Sequence, residues 1–140
     1  MRKWILAAFG LALTGAGASA ATIVNVTLGD PKGGNDYVLS ADKTSAQAGS
    51  VEFDVTNLSK MMVHEMIVVA VGSKDETLPY DAKKDEVDED KIKDLGEASD
   101  LPPGTKKALT LDLKPGVYRL ICNQAGHYKG GMRADFTVTP

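Results

Sequence analysis

The sequence is short of the features that would place it in most large functional classes. Its 140 residues hold one cysteine, Cys122, so no disulfide can form within the chain. It has no apolar run long enough to cross a bilayer: the longest, residues 4–13, falls short of the about 20 residues that a spanning helix needs. Positive charge is not in excess, with 16 Lys and Arg against 19 Asp and Glu and a formal net charge of −3. That disfavours nucleic acid, whose binding leans on cationic side chains neutralising phosphates. Internal repeats and low-complexity tracts are absent. No pairing of a nucleophile with a base stands out, so the residues do not read as an enzyme.

What is present begins at the first residues. Arg2 and Lys3 precede the apolar run, small residues follow, and Ala18-Ser19-Ala20 forms an A-x-A pattern before Ala21. This is the layout of a secretory signal peptide over residues 1–20, and it predicts export to the periplasm with cleavage after Ala20. No cysteine lies near position 21 to carry a lipid. Residues 21–140 then have the length of one ordinary domain, with no stable membrane insertion. Loss of Arg2 and Lys3 takes the formal charge from −3 to −5. A soluble domain of that charge suits a basic or neutral partner surface.

The rest reads as short strands between turns. Residues 22–28 alternate with β-branched side chains, and Pro31, Gly33 and Gly34 then break regular structure. Residues 38–48 are weakly patterned and have room for one or two short strands. Val51, Phe53 and Val55 alternate with Glu52, Asp54 and Thr56. Residues 62–71 are apolar enough for a core strand whose one face carries Met62, His64, Met66, Val68 and Ala70. Residues 73–100 differ in composition and are expected as a surface excursion with a short helix; within them residues 83–94 are almost all charged, with Val87 and Ile92 as the apolar anchors. Leu109, Leu111 and Leu113 alternate, then Tyr118, Leu120 and Cys122, and finally Met132, Ala134, Phe136 and Val138. About seven or eight strands with turns between them predict an all-β, antiparallel Greek-key β-sandwich.

A lone thiol in an oxidising compartment is a liability unless it is buried or ligated, and the neighbours of Cys122 favour ligation. Cys122, His127 and Met132 stand at equal five-residue steps around a glycine-rich loop containing Gly126, Gly130 and Gly131. His64 comes from a strand far away in sequence. The chain has no other histidine and no other cysteine. Two imidazoles, a thiolate and a weak thioether form the donor set of a blue copper site. Zinc could take the same Cys and His donors, but a thioether is a poor zinc ligand. With every position filled by protein no place remains for a substrate, which points to electron transfer.

The run 118–138, with Cys122, His127 and Met132, resembles the C-terminal ligand loop of cupredoxins, the type 1 blue copper proteins of the plastocyanin/azurin group. Its spacing is closer to that of rusticyanin, sulfocyanin and auracyanin than to that of plastocyanin. Residues 51–57 followed by His64-Glu65-Met66 are similar to the upstream half of the same family. The resemblance implies one copper ion, with His64, Cys122 and His127 as strong ligands and Met132 as the axial one. It also implies a monomer that shuttles single electrons between redox proteins. Transient docking would occur near His127, at Gly126, Tyr128 and nearby apolar rim residues. The alternative reading is a protein for copper storage, delivery or resistance.

Two departures from the family pattern carry expectations of their own. Many cupredoxins place Asn after the first ligand His and Ser or Thr after the Cys, whereas this chain has Glu65 and Asn123. Glu65 is positioned to accept hydrogen bonds from the backbone near Asn123, and as a carboxylate it would lower the reduction potential. Met61, Met62 and Met66 cluster around His64, either as packing or as a soft surface for Cu(I). Asn25-Val26-Thr27 and Asn57-Leu58-Ser59 match glycosylation acceptors.

Overall fold

Alternation decides the first strand: Thr22–Leu28 (β1) forms where the pattern predicts, with Val24, Val26 and Leu28 turned inward and buried. The computed structural model describes residues 20–140, so the leader expected over residues 1–20 lies outside the described residues apart from Ala20. After β1 come β2 (Leu39–Ala41), β3 (Ser45–Gln47), β4 (Gly49–Asn57) and β5 (His64–Val71). The excursion holds β6 (Tyr80–Asp81) and β7 (Glu86–Val87), and it is followed by β8 (Lys93–Leu101). The chain ends with β9 (Lys106–Leu113), β10 (Gly116–Ile121) and β11 (Arg133–Thr139). No helix among the described residues is long and apolar enough to cross a membrane.

The strands form two sheets, ordered β2-β1-β4-β9 and β3-β11-β10-β5-β8, with β6 and β7 as a separate hairpin. The sandwich is all-β as expected, and most of its pairs are antiparallel. Two pairs, β1 with β4 and β3 with β11, run parallel. For the first the reason is topological: the chain crosses to the other sheet at β3 before it returns as β4. The expected helix is a single 3-10 turn, Glu89–Lys91, whose three residues are charged and none buried.

The core lies between the inner faces of the two sheets. Val51, Phe53 and Val55 of β4 face Phe136 and Val138 of β11 and Tyr118 and Leu120 of β10. Phe53 and Phe136 meet edge to face, with centroids 5.4 Å apart, and so join the sheets at mid-height. The predicted inner face of β5 is borne out by Met66 and Val68, which are fully buried in this core. Its other face is not solvated. Ile67 and Val69 are also fully buried, under Leu78, Val87, Tyr80 and Ile92 of the excursion. The charged run thus folds back through its few apolar residues to cover the strand that begins at His64, which explains why β5 reads as continuously apolar.

Because Phe53 has no exposure and bridges both sheets, Phe53→Ala should lower unfolding stability by about 3–5 kcal/mol. Denaturant melts of the two proteins measure this, with Phe53→Leu expected to lose less.

Candidate metal centre

Neighbouring strands of one sheet bring the distant residues together. β10 and β5 are antiparallel, with Ile121 opposite Ile67. One step further along each chain, Cys122 leaves β10 close to where His64, Glu65 and Met66 enter β5. The loop then returns through His127 to Met132 at the start of β11. Its closure is built from the backbone: the Cys122 N–H donates to the Met132 carbonyl at 3.0 Å, and the Met132 N–H to the His127 carbonyl at 3.0 Å. Gly126 and Gly131 adopt φ of +80° and +114°, where a side chain would be strained. The Gly126 N–H also donates to the Asp85 carbonyl at 2.8 Å, which moors the loop to the excursion.

The donor atoms face inward. His64 Nδ1 and His127 Nδ1 lie 3.1 Å apart, and Cys122 Sγ lies 3.9 Å from the first and 3.4 Å from the second. All three atoms fall within 4.8 Å of one another. Bonds of about 2.0–2.3 Å to one ion put donor atoms roughly 3–4 Å apart, so the cluster has the dimensions of a metal site. His64, Cys122 and Met132 have no exposure, and His127 is 8% exposed. Of the four residues singled out from the sequence, the structure thus joins His64, Cys122 and His127 directly. Met132 is buried beside them and tied to both loop partners through its backbone.

Burial sets the protonation of this cluster in the metal-free protein. It holds His64 down to about 4, with His127 adding repulsion, and it lowers His127 as well. It pushes the Cys122 thiol up to about 11, against the opposing backbone N–H groups of Glu65 and Gln124. Near neutrality the site therefore holds two neutral imidazoles and a thiol. His64 Nε2 is buried without a hydrogen-bond partner among the described residues. Two neutral imidazole nitrogens and a soft sulfur, converging with little else to satisfy them, fit a borderline or soft metal ion and match copper best. A cation binding there would displace the thiol proton.

Glu65 makes the hydrogen bond expected of it. Its Oε1 accepts the Asn123 N–H at 3.2 Å, while its own backbone N–H points at Cys122 Sγ at 3.4 Å. Asn123 extends the tie: its side chain accepts the Val87 N–H at 2.7 Å and donates to the Val87 carbonyl at 3.0 Å and to Glu89 at 2.7 Å. Burial, then the charges of Glu89, Glu97 and Asp100, raise the Glu65 carboxyl to about 7.

Sequence reasoning missed several residues that shape the site. Asn57, noted above only within a glycosylation motif, is fully buried, and its amide donates to the carbonyls of Met62 and Leu101 at 2.8 Å each. Ser59 Oγ accepts the N–H groups of Met61 and Met62 and donates to Asp36. Together they fix the approach to His64. Tyr37, from a turn segment without pattern, packs its ring 5.0 Å from that of His127. The methionines divide: Met66 is core, whereas Met61 is 84% exposed. Tyr128, expected on the rim, packs with Tyr80 against the second apolar cluster.

Comparison with known proteins gives one family and one fold. Residues 25–139 match the family described as copper binding proteins, plastocyanin/azurin family. Among solved structures, reduced auracyanin from Roseiflexus castenholzii is similar with a TM-score of 0.62 at 24% identity, covering 87% of this chain and 99% of that one. Rusticyanin from Thiobacillus ferrooxidans has a TM-score of 0.65 at 18% identity, covering 86% and 79%. Auracyanin A, a "blue" copper protein from Chloroflexus aurantiacus, has a TM-score of 0.60 at 19% identity, covering 86% and 100%. No curated protein matches by sequence.

His64 and Glu65 give the metal-free protein two opposed pH dependences. Below pH 6.5 the unfolded His64 takes up a proton that the folded one refuses until about 4, so this residue makes stability fall as pH falls. Glu65 binds a proton on folding between its ordinary value of 4.5 and about 7, so it makes stability rise as pH falls. In the wild type these two contributions oppose each other, and His127, lowered by the same burial, adds to the His64 side. Relative to wild type, Glu65→Gln should lose stability on acidification and His64→Leu should gain it, each by up to about 1.4 kcal/mol per pH unit. Urea melts of the metal-free proteins between pH 4.5 and 6.5 check both signs.

Proposed function

The chain belongs to the plastocyanin/azurin family of copper-binding proteins, and from that premise we propose that it is a periplasmic carrier of single electrons between redox proteins. Its cofactor is one copper ion, and His64, Cys122, His127 and Met132 are the residues we assign to hold it. The observation that carries this reading is the enclosed cluster of three donor atoms, His64 Nδ1, His127 Nδ1 and Cys122 Sγ, within 4.8 Å of one another. Held there, a copper ion would supply one-electron chemistry between Cu(I) and Cu(II).

The protein's own residues supply everything else. Strands β5, β10 and β11 of one sheet hold the imidazoles and the thiol in place before and after transfer, which keeps rearrangement small. The apolar core around Met132, Met66 and Leu101 excludes water from the inner side. The residues assigned to hold copper are buried or nearly so, and we read the centre as a carrier's and not an enzyme's. His127 is the ligand nearest solvent and the point from which an electron leaves. Partners dock transiently around it, on a rim that includes Tyr37 and Met61, and the carrier works as a monomer. Export with cleavage after Ala20 completes the reading.

A second reading treats copper as cargo for storage, delivery or resistance. One observation favours it: Met61 is 84% exposed and so is not core packing.

With one equivalent of Cu(II) the protein should show an intense visible thiolate-to-copper band that bleaches on reduction and returns on oxidation. Cys122→Ser should abolish the band. A colourless wild type would overturn the carrier reading, and a second equivalent of Cu(I) bound through Met61 would support the cargo reading. The tie made by Glu65 gives a further expectation. Above about pH 8, where this carboxyl is ionised, Glu65→Gln should raise the reduction potential by removing a negative charge beside the ligands. Voltammetry of the two proteins decides it, and equal potentials would remove Glu65 from the set of tuning residues.

A further inference from the structure

Access to the metal centre is controlled from one side only. His64, Cys122 and Met132 are fully buried, so among the described residues the exposed edge of His127 is the ligand surface that solvent can approach. The His127 ring is packed against Tyr37, with ring centroids 5.0 Å apart and the planes tilted by 55°. The same ring rests on the ligand loop: a Cβ added at Gly130 would stand 2.8 Å from Tyr37 Cδ2 and 2.9 Å from its Cγ. Glycine at position 130 therefore allows the ring to sit this close.

The segment carrying Tyr37 is held in place. The Gly29 N–H donates to the Val38 carbonyl at 2.9 Å, closing the segment at its base. Asp36 Oδ1 accepts the Asp30 N–H at 3.1 Å, and its Oδ2 accepts the Ser59 hydroxyl at 2.8 Å. The Tyr37 N–H donates to Asn35 Oδ1 at 3.0 Å. Gly29 sits against Ser59, where a Cβ would come within 2.8 Å of that residue's Cβ and backbone nitrogen. Asp36 thus ties the segment to the residues that lead into His64, while Tyr37 reaches across to His127. Among the described residues nothing bonds to the Tyr37 hydroxyl, so the ring is the part in use. Tyr37 is itself 37% exposed, which leaves it free to swing outward when its tether is loosened.

We propose that Tyr37 is a shielding residue of the metal centre: its ring closes the His127 side and sets the rate at which reagents and copper reach or leave Cys122. The inference rests on the copper reading given above, but its test does not depend on that reading alone. In the metal-free full-length protein, the single thiol reports access directly through its rate of reaction with an aromatic disulfide reagent. Tyr37→Ala should react at least about tenfold faster than wild type, because local opening is no longer needed. Tyr37→Phe should match wild type, since it keeps the ring. Asp36→Ala, which keeps the ring and cuts the tether, should fall between them. Unfolding midpoints measured alongside separate access from loss of fold.

In the copper-loaded protein, the rate of copper loss to excess chelator should follow the same order while the visible band stays in place. Wild-type thiol reactivity in both Tyr37→Ala and Asp36→Ala would overturn the shield. So would an equal acceleration in Tyr37→Phe, which would assign the effect to the hydroxyl. If no variant gives a visible band while the thiol rates still order as expected, the copper reading fails and the shield stands.

Discussion

The arrangement at one end of this sandwich depends on keeping three polar donor atoms out of water and facing one another. Imidazole nitrogens and a thiol buried without full hydrogen bonding cost on the order of 1–3 kcal/mol each. The protein tolerates that cost because the donors are placed where the core is already well formed. His64 opens a strand covered on both faces, and Cys122 and Met132 bracket a loop whose ends are hydrogen-bonded to each other. A metal ion then finds its donors ready, and its binding adds directly to the stability of the fold.

The same constraint gives the charged excursion its purpose. By composition residues 83–94 read as solvated surface, and most of them are. Yet Val87 and Leu78 are almost fully buried over β5, and the backbone of Val87 is gripped from both sides by the side chain of Asn123, the residue next to Cys122. Asp85 holds Gly126 from the same hairpin. The excursion is therefore a brace for the ligand loop, fastened by a few apolar and polar contacts and otherwise left to water. On the opposite flank the segment from Asp30 to Val38 does comparable work through Asp36, Ser59 and Tyr37. Between the two braces the donor cluster has little freedom to rearrange, which is the property a one-electron centre requires.

Much of this was legible in the sequence, for definite reasons. Strands announce themselves by alternation, and β1, β4 and β11 do so because each has one face on the core and one toward solvent. The donor set was legible because scarcity is informative: two histidines and one cysteine leave few ways to assemble a site. Glu65 was legible as a partner of Asn123 because each is adjacent in sequence to a donor. Other features left no such trace. A parallel pairing of β1 with β4 has the same local pattern as an antiparallel one. The 3-10 turn looked like a helix because charge content does not distinguish the two.

The sequence by itself determined which atoms could serve the chemistry, since side-chain type is fixed by the chain and a soft, borderline set occurs only once. It also determined the strands, through a periodicity that requires no partner. Only the tertiary structure decided how those atoms face one another, which flank is covered, and by what. Asn57 looked like a surface acceptor and is a buried strut, while Tyr37 sat in an unpatterned turn and lies over His127. Such roles arise from contacts between segments far apart in the chain, and no local pattern encodes a contact whose other half is thirty, sixty or ninety residues away. Cys122, His127 and Met132 were given by spacing, but the donor cluster exists only because His64 is folded against Cys122 and His127.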